Sequence, residues 1–212
     1  SVVSNLAKKG CFRIHAITRR PWSETALDLA KLPNVRIFQG DLLDKDSLKK
    51  AFKGAYGVFG NTTPTKGWKI FRGSMVKDYE LAQGRNLVDA VKEIANEGNL
   101  KHFLFSSVCK PRDPLNNIPA PGHFSSKWRI EEYIRSQRLM TFTTVLRPVS
   151  YFENFDSVIP GIRIYENLIP GVLKPDKPWQ IIAVDDIGKW STAAFMNPQK
   201  FIGTSLNLAG EE

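Results

Sequence analysis

Residues 35–63 read VRIFQGDLLDKDSLKKAFKGAYGVFGNTT, and the reading of this stretch decides the fold. Val35-Arg36-Ile37-Phe38 is a short β-branched and aromatic run that closes on Gly40-Asp41, the composition of a strand ending in a turn. Residues 47–53 set Leu48 and Phe52 among lysines at helical spacing and stop at Gly54. Tyr56 to Gly60 is extended again and opens onto Asn61-Thr62-Thr63-Pro64. A strand, a helix and a strand in such close succession form a βαβ unit, whose two strands lie parallel in one sheet.

The same alternation continues outward. Residues 1–9 read as the last turns of a helix with a glycine cap at Gly10. Phe12 to Thr18 is extended and runs into Arg19-Arg20-Pro21, after which Ser23 caps a helical stretch, ETALDLAKL. Downstream, residues 74–97 place Leu81, Leu87, Val88, Val91 and Ile94 on one helical face, with Gly84 as a tolerated weak point. Strands are expected at 101–108, 141–146 and 205–208, and helices at 124–138 and from Asp186 onward. The fold class is α/β: an open, doubly wound parallel sheet. Residues 1–148 form its main domain, and 149–212 a smaller, irregular substrate-side region interleaved with the last strand and helix.

Composition narrows the function classes. The chain has 212 residues, 42% hydrophobic, with 30 Lys plus Arg against 21 Asp plus Glu, a net charge of +9. That is enough apolar content for a core and too much for a disordered chain. No run approaches the ~18–20 apolar residues of a membrane helix. Two cysteines, Cys11 and Cys109, are too few for a disulfide framework and fit a reducing compartment, the cytoplasm with or without the nucleus. Neither has a C-x-x-C companion, and His15 and His102 have no partner at metal-ligand spacing, so no metal site is expected. The basic residues are dispersed over helix faces among acids (Lys8-Lys9, Lys45 to Lys53, Arg135 and Arg138), and no helix-turn-helix or RNA-binding signature occurs. Nucleic acid is therefore not the expected partner.

In sheets of this kind, ligands bind at the carboxyl ends of the strands. Those ends carry Thr18-Arg19-Arg20, Gly40-Asp41-Leu42, Asn61-Thr62-Thr63, Ser106-Ser107 and Arg147-Pro148, then Tyr151-Phe152-Glu153-Asn154. Each group also suits an ordinary loop, since strand ends favour such residues. Arg19 and Arg20 are the most pointed. A dinucleotide-binding fold reads the ribose at the end of its second strand, with an acid for a 2′-hydroxyl or an arginine for a 2′-phosphate. With two arginines there and no carboxylate before Glu24, NADP(H) is expected over NAD(H). The alternative is a solvated basic turn. No glycine-rich phosphate loop of the G-x-G-x-x-G type occurs in the 212 residues. Either the fold binds no dinucleotide, or that loop lies before Ser1, as the uncapped helix there leads one to expect; an extension after Glu212 is also expected.

The ordered series of motifs resembles the NmrA-like family, atypical members of the short-chain dehydrogenase/reductase group. It runs from Thr18-Arg19-Arg20-Pro21 through Gln39-Gly40-Asp41-Leu42, residues 54–59 and 83–90, and Lys101 to Ser107. His123-Phe124-Ser125-Ser126-Lys127, Glu131-Glu132-Tyr133, Leu146-Arg147-Pro148 and residues 151–155 complete it. The resemblance implies a Rossmann-like, NAD(P)-binding fold whose first strand and glycine loop precede this chain. It further implies Arg19 at the 2′-phosphate, Asp41 and Leu42 beside the adenine, and Thr62 and Thr63 at the ribose and phosphates. Lys127 would meet the nicotinamide ribose, with Tyr151, Phe152, Glu153 and Asn154 at the nicotinamide end. Some relatives carry a lysine at the position of Ala82, so that contact is not expected here.

In reductases of the larger group, a tyrosine four residues before the lysine passes a proton, its pKa lowered by the cation. Here that residue is His123. His123 is either an acid–base group beside Lys127 or a helix-entry residue with no proton to move. Two functions follow: an NADP(H) sensor that presents a surface to a regulatory protein partner, or an NADPH-dependent reductase of a quinone or small carbonyl compound. The second would use an apolar pocket from Tyr151, Phe152, Phe155, Ile159 and Trp179.

Overall fold

The computed structural model describes residues 1–63, 73–109, 122–154 and 180–210, with the backbone alone for 73–78 and 122–124. In chain order the elements begin with α1 (Val2–Lys9), β1 (Ile14–Thr18), α2 (Glu24–Ala30), β2 (Val35–Gln39), α3 (Lys45–Phe52) and β3 (Gly57–Asn61). Next come α4 (Gly73–Asn96), β4 (His102–Ser106), α5 (Gly122–Ser136), β5 (Thr143–Pro148) and β6 (Ser150–Tyr151). The described chain closes with β7 (Ile181–Ile182), α6 (Val184–Met196), α7 (Pro198–Phe201) and β8 (Ser205–Leu208).

Local chemistry sets the ends of these elements. Ser23 accepts from the amide of Ala26 to start α2, and Asp44 accepts from the amide of Ser47 to start α3, two residues earlier than periodicity alone places it. Gly10 closes α1 at φ 72°, a left-handed backbone that glycine adopts without strain. β5 begins at Thr143, later than the β-branched run implies, because Leu139–Phe142 tightens into a 3-10 turn entered through Arg138 at φ 59°.

All described strand pairs are parallel. β1 pairs with β2, β3–β4–β5–β8 form a four-stranded sheet, and β6 pairs with β7. Successive residues of β4 supply both faces of the large sheet: Phe103 and Phe105 turn one way, Leu104 the other, and all three are fully buried. The Phe face meets Leu48 and Phe52 of α3, Leu87 and Val91 of α4, and Ile130 and Ile134 of α5. The Leu104 face meets Leu6 and Ala7 of α1 and Ile187, Ala194 and Phe195 of α6, together with Ile14 and Ala16 of β1. Helices on both faces make the sheet doubly wound. Each large side chain so buried contributes about 1.5–3 kcal/mol. The β1–β2 pair is joined to the large sheet through these helices, with no backbone ladder between β1 and β3.

Candidate functional site

Parallel strands put their carboxyl ends on one edge, and α4 gathers that edge. Gln83 binds the backbone of Thr63 twice, donating to its carbonyl at 2.9 Å and accepting from its amide at 3.3 Å. One turn on, Asn86 donates to the carbonyl of Leu42, beyond β2, at 3.0 Å. The loops after β2 and β3 are thus held by one helix face.

Lys127, on α5, lies at the centre of this edge. Its Nζ donates to Asn61 Oδ1 at 3.0 Å, the Thr62 carbonyl at 2.9 Å, Thr62 Oγ1 at 3.3 Å and the Ser106 carbonyl at 3.2 Å. Behind it, fully buried Glu80 of α4 stands 3.6 Å away. Burial pulls the Lys127 ammonium below the usual lysine range, and the charge of Glu80 opposes this. The structure therefore brings together Asn61, Thr62, Ser106 and Lys127 from three elements. Tyr151 reaches the same edge. Burial raises its phenol's pKa, which a hydrogen bond with Ser106 opposes.

A second buried carboxylate, Glu131, braces the next strand. It accepts from Ser107 Oγ at 3.2 Å, from Arg147 Nε at 3.1 Å and from Arg147 Nη2, and it pairs with Arg135 at 2.7 Å. Arg147 also lies over the Trp128 ring, 5.5 Å from its centroid. Arg147 and Ser107 are thus occupied in tying α5 to β4 and β5.

Beyond β1 and β2 is a cleft of about 290 Å³ lined by Arg19, Gln39, Gly40, Asp41, Asp44, Asp46, Ser47 and Lys50. Asp41 turns its carboxylate to the Leu43 amide at 2.9 Å, and Asp44 is taken up in capping α3. Arg19 and Lys50 are the cations of this cleft. Arg20 donates its backbone amide to Thr18 Oγ1 at 3.2 Å. Glu153 accepts from the Val184 amide at 2.8 Å, where it satisfies an amide of the first turn of α6; Phe152 and Asn154 share its short 3-10 turn. His123 falls within α5, which begins at Gly122, but its side chain lies outside the described residues, as do Phe155, Ile159 and Trp179.

Two acids at this edge have no role in the sequence reading: Glu80 is not singled out there, and Glu131 stands only within a motif. Both carry a periodicity signal. Glu80 is on the helical face of Gly84, Leu87 and Val91, and Glu131 lies between Ile130 and Ile134, four residues beyond Lys127. A carboxylate at a core-facing position signals a buried ionic partner.

Among the described residues no group of three or more His, Cys, Asp or Glu could hold a metal ion, and no helix is long and apolar enough to cross a membrane.

Known proteins of similar sequence include an NmrA-like family domain-containing oxidoreductase, malD, of Malbranchea aurantiaca, 35% identical over 73% of this chain and 44% of its own length. The nitrogen metabolite repression protein nmrA of Emericella nidulans is 30% identical over 88% of this chain and 51% of its own. The chain thus spans about half the length, or less, of these relatives. Among solved structures, NmrA, a negative transcriptional regulator, matches at 25% identity with a TM-score of 0.72, over 99% of this chain and 62% of that one. NmrA has been crystallised with NADP and with NAD. The fold also matches an NADPH-dependent quinone oxidoreductase of Escherichia coli in complex with NADPH, at 18% identity, with a TM-score of 0.67, over 99% of this chain and 64% of that one. The family model for NmrA-like proteins matches residues 1–212, and the chain belongs to the NmrA-like family.

Proposed function

We propose that this chain contributes most of an NADP(H)-binding site and serves as a cofactor sensor whose occupancy is read by a regulatory protein partner. The observation that carries the reading is Lys127, an ammonium held among the ends of β3 and β4 where a dinucleotide's nicotinamide ribose would lie. Arg19 and Lys50 in the cleft beyond β1 and β2 would take the 2′-phosphate, with Asp41 and Leu42 beside the adenine. Thr62, Thr63 and Asn61 would line the middle of the cofactor, and Tyr151 to Asn154 its far end. The break between β1 and β3 supports a strand inserted there, carrying the phosphate-binding glycine turn. The names of relatives, a transcriptional regulator and oxidoreductases, are consistent with either use of the cofactor.

The sensor reading is favoured because His123 stands where reductases of the larger group carry the proton-passing tyrosine, four residues before Lys127 on α5. The second reading, an NADPH-dependent reductase of a quinone or small carbonyl compound with His123 and Lys127 at the reacting end, rests on their spacing along α5.

Calorimetric titration of the full-length protein tests the binding. NADPH is expected to bind more tightly than NADH, and Arg19→Ala to weaken NADPH about tenfold or more while leaving NADH nearly unchanged. No affinity for either cofactor overturns both readings. Sustained NADPH oxidation with a quinone panel, abolished in Lys127→Ala, would transfer the assignment to the reductase.

A further inference from the structure

The ammonium of Lys127 is surrounded by acceptors. Asn61 Oδ1, the Thr62 and Ser106 carbonyls and Thr62 Oγ1 all point lone pairs at Nζ. A neutral amine would turn its own lone pair toward one of them, so this cage fits the charged form. Four of these groups are uncharged, and the Phe105 ring face, 5.9 Å away, adds only a weak attraction. Full charge comes from Glu80 alone among the described residues that act on Nζ: Gln83 of α4 binds the Thr63 backbone, Ser126 of α5 binds Glu80, Tyr151 of β6 bonds to Ser106, and Glu131 is committed to Arg147 and Arg135.

Glu80 is also fixed in place. It is fully buried, with Oε1 accepting from Thr62 Oγ1 at 2.9 Å and Oε2 accepting from Ser126 Oγ. Thr62 Oγ1 gives its proton to Glu80 and offers its lone pair to Lys127, so one hydroxyl orients both charges. Thr62 and Ser126 are themselves buried, and neither carboxylate oxygen faces bulk water. A buried carboxylate in such a setting stays ionised only with its countercharge, and the reverse holds for the lysine.

We infer that Glu80 is the positioning residue of this site: its buried carboxylate keeps Lys127 charged and aimed at the ends of β3 and β4, so that the lysine meets the cofactor as a cation. The inference rests on the cofactor reading for its purpose, but the Glu80–Lys127 coupling is measurable without cofactor.

The test is Glu80→Gln in the full-length protein, which keeps the size and polar shape of the side chain and removes its charge. Lysine side-chain NMR, with Lys127 assigned through Lys127→Met, should show Lys127 titrating about one to three pH units lower than in the wild type. NADPH affinity should fall about tenfold on the alkaline side and recover as the pH is lowered and the amine regains its proton, and Glu80→Asp should restore both. An unchanged Lys127 titration, or an affinity loss equal at every pH, overturns the inference. If the wild type binds no NADPH, the cofactor reading fails, while the NMR titration still decides the coupling. Should Glu80→Gln not fold, the Glu80→Gln/Lys127→Met pair removes both charges. Recovery of folding in the pair supports the coupling, and equal instability shows that Glu80 acts through Thr62 and Ser126 alone.

Discussion

His102 shows how far a single side chain can be reasoned from its neighbours. Thr144 Oγ1 donates to the Phe201 carbonyl at 2.7 Å, so toward His102 Nε2, at 2.8 Å, it can only accept. The ring is therefore the Nε2–H tautomer, and Nδ1 is a buried lone pair with no partner among the described residues. With Phe195 edge-on at 5.4 Å, protonation would put a cation into an apolar wall, and burial lowers the pKa from 6.5 to about 4. Because the folded state disfavours the proton, the stabilisation is full above pH 6.5 and is lost as the pH falls toward 4. A shift of this size corresponds to on the order of 3 kcal/mol. Urea midpoints measured between pH 7 and pH 4 should fall less steeply in His102→Gln than in the wild type. Equal slopes would remove His102 as the source. The sequence marks His102 as the start of a strand without a metal partner, but not as buried, because burial depends on Phe195, a residue far away in the chain.

At the scale of elements, the α4–α5 crossing turns on Gly84. A Cβ built there would meet Ile130 Cγ1 at 2.2 Å and Cδ1 at 2.3 Å, so the helices touch where one has no side chain. Helix propensity alone favours alanine at this position by about 1 kcal/mol. Overpacking costs about 1–3 kcal/mol, and an approach this close is at the upper end. Gly84→Ala should therefore destabilise by about 1–2 kcal/mol in denaturant unfolding. Ile130→Val in the same chain should recover part of the loss, whereas a stabilised Gly84→Ala would show that propensity governs the position. The helix itself was legible from the spacing of Leu87, Val88, Val91 and Ile94, and so were most strands, because burial of one face imposes a period. The role of Gly84 was not legible, since it belongs to the pair of helices and periodicity describes one at a time. Glu80 and Glu131 fall in the same class, as Thr62 and Ser126, which hold the first, and Ser107 and Arg147, which hold the second, lie on other elements. Residues 109–121 and 155–179 carry no regular period, and the pocket expected from Phe155, Ile159 and Trp179 lies outside the described residues.

Across the whole molecule, the two halves of the proposed cofactor site sit on different pieces of the sheet. Arg19 and Asp41 follow β1 and β2, whereas Asn61, Thr62 and Lys127 belong to the four-stranded piece. The link between the pieces runs through helices, α3 against α4 on one face and α1 against α6 on the other, and includes ion pairs from Lys45 and Lys49 to Glu93 at 3.0 and 2.5 Å. Such exposed pairs contribute little each, so much of the basic excess stays on solvated surface and does not hold the pieces together. A ligand that touches both pieces should then couple them, and a ligand that touches one should not. Hydrogen exchange of the full-length protein separates the cases. Adenosine 2′,5′-bisphosphate, the adenine half alone, should slow exchange in β1, β2 and the start of α3. NADPH should slow these amides and, in addition, those after β3 and at the start of α5. Equal protection of both pieces by the half-ligand would mean that the sheet already behaves as one unit, and protection of neither by NADPH would place the cofactor elsewhere.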